Sequence, residues 1–303
     1  MKPGDESVVV RVPASTSNCG AGFDTLGLAL NLYNRITVTR CAGPGPVPDR
    51  PADGRAKEMV ADADAAFARA TGRSPGGFAY RIEGEVPAAR GLGSSVTVIA
   101  GVLAGLNELH HASLPTRQLV GLVCEIEGHP DNAAAGVLGG FCVSRTDPAT
   151  GAYLDTQRFE VPGDVAFVVV SPPVELVTKE SRGALPPSLP FFDAVRSINS
   201  AAYVVAAFAS RDYASLRHAA GDFVHEPYRL PSVPGGAEAI AAGVAAGAWT
   251  GWLSGSGSSV LCVCEKAVSE PVFRAMTGAF SQARMQSEGR ILSADNVGLR
   301  IGA

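Results

Sequence analysis

Pro87-Ala-Ala-Arg-Gly-Leu-Gly-Ser-Ser95 is the stretch of this chain best suited to hold phosphate. Gly91 and Gly93 permit a tight turn with no Cβ between backbone and ligand, and Ser94 and Ser95 stand where a helix N-cap would stand. From Val96 onward, Ile99, Val102, Leu103, Leu106 and Leu109 recur at helical spacing and predict a helix over 96–109. The loop then aims amide N–H groups at an anion from the positive end of a helix dipole, a geometry that fits a nucleoside triphosphate. No lysine follows the glycines and no strand leads into a Gly-x-Gly-x-x-Gly run, so neither the Walker loop nor the dinucleotide fingerprint is present. Of the four lysines only Lys179 lies near a candidate motif, which leaves arginine, metal or backbone amides to neutralise phosphate.

The elements that must position this loop read as mixed α and β. Val8 to Val12, Ile36 to Thr39 and Phe78 to Ile82 are predicted strands, and a Pro/Gly-rich loop at 42–54 precedes a short Ala-rich helix. Leu119, Leu122, Val123 and Ile126 share one face of a helix near 116–127 that ends at Gly128-His129-Pro130. Residues 145–160 are polar and turn-rich, and Val165 to Val170 restarts as a fully apolar strand, so the chain divides into residues 1–155 and 156–303. The second half reads as strand, Pro-rich loop, helices at 194–209, 212–220 and 236–246, then strand, loop, strand and helix.

Bulk properties narrow the function classes. A net charge of −4 with scattered basic residues argues against nucleic acid or an anionic membrane as partner. No apolar run reaches bilayer-spanning length and no signal-peptide core opens the sequence, which predicts a soluble cytoplasmic protein. The six cysteines form neither Cys-x-x-Cys pairs nor a Cys/His cluster and read as free thiols.

Three motifs stand in fixed order: Pro13-Ala-Ser-Thr-Ser-Asn18 followed by Gly22-Phe23-Asp24, the Gly91 loop, and Leu253-Ser-Gly-Ser-Gly257. Together they resemble the GHMP kinase superfamily. Glu127-Gly-His-Pro-Asp-Asn132, Thr178-Lys-Glu-Ser-Arg182 and His225-Glu-Pro-Tyr-Arg229 are most similar to the signatures of its homoserine kinase family. The resemblance covers nearly the whole chain. It implies an α+β, two-domain GHMP kinase fold: an N-terminal ATP-binding domain like the second domain of ribosomal protein S5, and a ferredoxin-like C-terminal domain. It also implies ATP-dependent phosphorylation of the side-chain hydroxyl of L-homoserine on the route to threonine, with ATP as co-substrate, Mg²⁺, and a homodimer.

Carried onto this chain, the resemblance assigns ATP to Pro87, Ala88, Ala89, Arg90, Gly91, Leu92, Gly93, Ser94, Ser95, Val96, Thr97, Gly255 and Gly257. Mg²⁺ falls to Glu127 with Ser95, or Ser94 in its place, as hard oxygen ligands. An amino-acid substrate carries a carboxylate and an ammonium; Arg182 and Arg229 suit the first, Asp24 and Asn18 the second, with His129, Asn132 and Thr178 completing the pocket. Asn132, Asp131, Glu127 and Arg182 form the catalytic set, and no lysine completes a Lys/Asp pair at the nucleophile. Three departures stand out: Val96 occupies a position where small residues are usual, three serines occur in the 254–259 loop where Ala, Pro and Thr are common, and the Asn-Leu pair that accompanies adenine recognition is missing near Glu58-Met-Val60. A kinase of another small carboxylate-bearing alcohol, or a non-catalytic ligand sensor, are the alternatives.

Overall fold

The computed structural model describes residues 6–176, 178–219 and 221–302, with the side chains of 178–180 outside that description. β1 (Ser7–Ser17) turns through residues 18–25 and returns antiparallel as β2 (Leu26–Arg40). Both are longer than the apolar stretches foretold. Their continuations carry Ser15, Thr16 and Ser17, which are buried by partners far away in sequence rather than by local hydrophobicity. A short β3 (Pro46–Pro48) lies inside the Pro/Gly-rich loop, followed by α1 (Gly54–Thr71) and β4 (Phe78–Gly84). Asp53 caps α1 by accepting from the Ala56 amide at 2.7 Å, and Gly72 ends it in the left-handed region.

Next come α2 (Ser94–Leu109), α3 (Thr116–Glu127) and α4 (Pro130–Leu138), then the hairpin β5 (Phe141–Thr146) and β6 (Tyr153–Phe159). α4 was not foreseen: nearly all of Pro130-Asp-Asn-Ala-Ala-Ala-Gly-Val-Leu138 is buried, so it carries no amphipathic stripe. β6 lies in the polar stretch that reads as turn-rich, and none of its residues is fully buried; it pairs with β5, and the 155/156 division falls inside it. The first sheet runs β11-β1-β2-β4-β3, where β11 (Arg300–Ile301) returns the end of the chain to β1, and β5 pairs with the far end of β2.

The second half holds β7 (Val165–Ser171), α5 (Thr178–Gly183), α6 (Phe191–Ser210), α7 (Glu226–Arg229), α8 (Gly236–Ala245), β8 (Thr250–Leu253), β9 (Val260–Glu265), α9 (Ser269–Gln282) and β10 (Glu288–Leu292). The helix expected at 212–220 is a 3₁₀ turn over Tyr213–His218. The antiparallel sheet order β10-β7-β9-β8, with helices after the first and third strands in chain order, is the ferredoxin-like arrangement. β7 is apolar throughout because both faces are covered: Ala166, Val168 and Val170 meet α8 and α9, whereas Val165, Phe167 and Val169 pack toward Leu28, Leu30 and Phe141 of the first sheet. One core thus joins the two halves. Among the described residues no helix is long and apolar enough to cross a membrane.

α2 lies close against β2. A Cβ on Gly101 would stand 2.3 Å from Ile36 Cγ1, and one on Gly105 2.6 Å from Val38 Cγ2. Gly278 in α9 faces open space. Gly101→Val is therefore expected to lower the unfolding free energy by about 3 kcal/mol in urea denaturation, whereas Gly278→Ala should raise it by up to about 1 kcal/mol.

Candidate active site

Three loops from distant parts of the chain meet backbone to backbone. Gly91 has φ +72°, and a Cβ there would stand 2.0 Å from the Ser254 carbonyl oxygen. Ser254 Oγ donates to the Gly91 carbonyl at 2.6 Å, the Ser259 amide donates to the Arg90 carbonyl at 3.1 Å, and the Gly255 amide donates to the Ser17 carbonyl at 3.3 Å. Trp252 Nε1 donates to Thr16 Oγ1 at 3.0 Å, and Ser254 Oγ lies within hydrogen-bond distance of the same hydroxyl, at 2.9 Å. The loop after β4, the end of β1 and the loop after β8 thereby form one wall of a cleft of about 490 Å³.

At the N-terminus of α2 the helix cap differs from the expectation. Gly93, at φ +67°, is the N-cap of α2, and Ser94 and Ser95 are its first helical residues. The Thr97 amide bonds to the Gly93 carbonyl at 3.1 Å, and the amides before it in α2 have no intrahelical acceptor. No acidic side chain sits in this first turn, so the positive end of the helix is open to an anion.

The next segment is a corner between helices. Glu127 is the last residue of α3, Gly128 (φ +82°) reverses the chain, His129 is the N-cap of α4, and Pro130 fills its first position. His129 Nδ1 lies 2.5 Å from Asp131 Oδ1, which also accepts from the Asn132 amide at 2.7 Å. Burial opposes charge on His129, but Asp131 outweighs it and lifts the imidazole pKa to about 9. Burial alone would raise Asp131; His129 and the hydrogen bonds hold it below the usual carboxylate range. Glu127 is pushed above its ordinary value by burial, with His129 and a hydrogen bond from Ser95 offsetting part of that rise. Asn132 accepts from Ser15 Oγ at 2.8 Å and donates to Ser17 Oγ at 2.9 Å, tying the corner to β1.

Opposite this corner, Asp24 is held by Arg182 through two bonds of 2.7 and 2.9 Å. Asn18 Oδ1 accepts from the Asp24 amide at 3.1 Å, and its Nδ2 donates to the Gly255 carbonyl at 3.1 Å. Arg229 Nε donates to the Ser181 carbonyl at 3.2 Å. Its own short helix is fixed by Asp222, which accepts from the His225 and Glu226 amides, each at 2.7 Å, and by Glu226, which accepts from the Leu253 amide at 2.6 Å. Burial, against that one backbone bond, lifts the Glu226 carboxyl to about 7. Among the described residues Asp24, His129 and Asp131 have the composition of a cation site, with donor atoms within 4.8 Å of one another. Asp24 is paired with Arg182 and Asp131 with His129, so the three form part of an ion-pair cluster.

The cleft is lined by Ala88, Ala89, Arg90, Gly91, Gly93, Ser94, Ser95 and Gly255, with Glu127 bonded to Ser95, toward the α2 terminus, and by Asn18, Asp24, His129, Asp131, Asn132, Arg182 and Arg229 beyond them. Five expected ATP residues do not line it. Leu92 and Val96 are core residues, Thr97 is buried and bonded to Asn34 and to the Ser94 carbonyl, and Pro87 and Gly257 lie outside the cleft lining. The Thr178 side chain lies outside the described residues. Sequence reasoning missed the cleft's continuation past the loop to Asp53, Arg55, Ala56 and Met59 at the start of α1, and to Ile82, Val86 and Val98. Asp53 followed by an Ala-rich helix was the available signal, a second capped helix N-terminus.

Residues 57–140 match the family described as GHMP kinases N terminal domain, and residues 204–282 match GHMP kinases C terminal. The chain is 38% identical over 295 residues to homoserine kinase of Moorella thermoacetica, covering 96% of this chain and 98% of that protein. It is 35% identical over 301 residues to homoserine kinase of a Synechococcus strain, covering 97% and 95%. The crystal structure of homoserine kinase from Cytophaga hutchinsonii shares the fold with a TM-score of 0.87 at 24% identity over 99% of both chains.

The Glu226 carboxyl ties stability to pH. Folded, it keeps its proton up to about 7; unfolded, it ionises near its ordinary value. The folded state therefore binds the extra proton between those two values, and stability falls through that window as pH rises, levelling above about 7. Denaturation at about pH 5 and about pH 8 should show Glu226→Gln gaining on the parent protein by roughly 2 kcal/mol at the higher pH. Parallel profiles would contradict this.

Proposed function

The chain belongs to the GHMP kinase family and, within it, to the homoserine kinases, and from that membership we propose that it transfers the γ-phosphoryl group of ATP to the side-chain hydroxyl of L-homoserine. The products are ADP and O-phospho-L-homoserine. The observation that carries this reading is one cleft with an open helix N-terminus at one end and Asp24, Arg182 and Arg229 at the other. The first suits phosphate and the second suits a zwitterion.

In this reading the amides from Gly91 to Ser95 cradle the phosphates, and Arg90 adds the cationic side chain that the missing Walker lysine would otherwise supply. The start of α1 with Met59, Ile82 and Val86 offers the apolar surface for the nucleoside. Ser95 and Glu127, in contact beside the α2 terminus, are the hard oxygen donors for Mg²⁺, and a carboxyl held above its ordinary pKa by burial gains from an adjacent cation. Bound there, the ion would neutralise phosphate charge.

L-Homoserine brings both of its charges to a pocket that already satisfies its own. Its ammonium takes the place of Arg182 on Asp24, and its carboxylate takes Arg182 together with Arg229. One ion pair is exchanged for two. A carboxylate-only alcohol would have to open the Asp24–Arg182 pair and leave Asp24 without a partner, a cost that selects against it. His129 and Asn132, fixed by Asp131, Ser15 and Ser17, line the space beside the reacting hydroxyl. Asp131 is held below the usual carboxylate range and is a poor proton acceptor, which supports a reaction driven by alignment and electrostatic stabilisation, the proton leaving late to a phosphate oxygen or solvent.

We keep a cytoplasmic location and a homodimer as parts of the same proposal. Phe191, Phe192 and Ile198, at 76%, 71% and 68% exposure on α6, support a self-association surface.

The test is Mg²⁺-dependent ADP release from ATP with L-homoserine beside D-homoserine, L-threonine, L-serine, mevalonate and pantoate. Strong preference for L-homoserine is expected, and Asp24→Asn should lose kcat/KM for it by about 100-fold. Equal use of mevalonate or pantoate would overturn the substrate assignment and leave the family membership standing.

A further inference from the structure

Phe23 sits beside Asp24 in the loop between β1 and β2, and three groups from the second half of the chain converge on its ring. The Arg182 guanidinium carbon is 5.4 Å from the ring centroid, the Arg229 carbon 5.0 Å, and the His225 ring centroid 5.4 Å at a tilt of 31°. Two guanidinium groups thus share one aromatic ring. Only Arg182 has a carboxylate partner within this group; Arg229 gives its donors to the Ser181 and Gly255 carbonyls. Burial and the charge of Arg182 both weigh against the charge on Arg229.

The loop that bears the ring is tightly held. The Gly22 amide donates to the Asn18 carbonyl at 2.9 Å, the Leu26 amide to the Gly22 carbonyl at 2.9 Å, and Thr25 Oγ1 to the Phe23 carbonyl at 3.0 Å. His225 Nε2 donates to the Gly20 carbonyl at 2.9 Å, which joins this loop to α7. The electron-rich face of an aromatic ring attracts guanidinium, and the attraction grows when water is excluded.

We propose that Phe23 is a positioning residue: its ring holds Arg182 and Arg229 side by side against their mutual repulsion, and its place next to Asp24 sets the distance between the ammonium-binding and carboxylate-binding halves of the pocket. The inference rests on the assignment of these arginines to the substrate carboxylate. Phe23 touches neither the reacting hydroxyl nor the phosphates in this account, so its loss weakens substrate binding and leaves the nucleotide alone.

The experiment compares steady-state constants of Phe23→Leu, Phe23→Tyr and Arg229→Lys, with melting temperature recorded for each. Phe23→Leu should raise KM for L-homoserine about tenfold with KM for ATP changed less than about twofold, and Phe23→Tyr, which keeps the ring, should restore most of the loss. If Phe23→Leu and Phe23→Tyr raise both KM values alike, or if Phe23→Leu leaves KM for L-homoserine unchanged while Arg229→Lys raises it, the positioning role is wrong. If Arg229→Lys also leaves KM for L-homoserine unchanged, the assignment of the arginines fails, and the role of Phe23 with it. Should Phe23→Leu fold poorly, Phe23→Met provides a second ring-free variant for the same comparison.

Discussion

The close approach of Gly91 to Ser254 is the contact on which the rest of the site depends. At this point the glycine loop of the first half and the serine-glycine loop of the second approach backbone to backbone, and any Cβ at residue 91 would collide with a carbonyl oxygen. The consequences run in both directions. Arg90 and Gly91 accept hydrogen bonds from Ser259 and Ser254 respectively, and the Ser17 carbonyl accepts one from Gly255, so the α2 end of the cleft and the start of the 18–25 loop are registered on the same strand connection. A phosphoryl donor and a bound acceptor must be aligned to within a fraction of an ångström, and rigid backbone-to-backbone joints supply that alignment better than long side chains do.

Charge is distributed around the cleft so that its aspartates have partners before any ligand arrives, whereas Arg229 is left on carbonyls alone. Asp24 has Arg182, Asp131 has His129, and Asp222 has two amides of α7. Near the site, burial pushes the Glu127 and Glu226 carboxyls upward. The difference in their surroundings separates two jobs: Glu127 faces the helix terminus where a cation would be welcome, whereas Glu226 is spent on the Leu253 amide and holds the wall in place. The ion pairs also explain how a preformed pocket can distinguish a zwitterion from a simple carboxylate, because the exchange is balanced only when the ligand carries both charges.

Much of this was legible in the sequence, and what was not has physical reasons. The amphipathic α3, the apolar β7 and the glycine loop followed by α2 declare themselves through periodicity and turn chemistry. α4 is buried on all sides and β6 has no fully buried face, so neither has the contrast between faces that sequence patterns report. The tail of β1 is polar because it is bonded to Asn132, Trp252 and Ser254, partners that only the folded chain brings near. Likewise Val96 and Thr97 share a motif with the glycine loop, yet they are the third and fourth residues of α2, where helical geometry rotates them into the core. The role of Phe23 was invisible for the same reason: its neighbours come from residues 182, 225 and 229.

The central claim is that substrate opens the Asp24–Arg182 pair and inserts both of its charges. A crystal structure with L-homoserine and a non-hydrolysable ATP analogue tests it directly. The account predicts the α-ammonium on Asp24, the carboxylate between Arg182 and Arg229, and the hydroxyl directed at the γ-phosphate above the α2 terminus. An intact Asp24–Arg182 pair with the amino acid bound elsewhere in the cleft would contradict it.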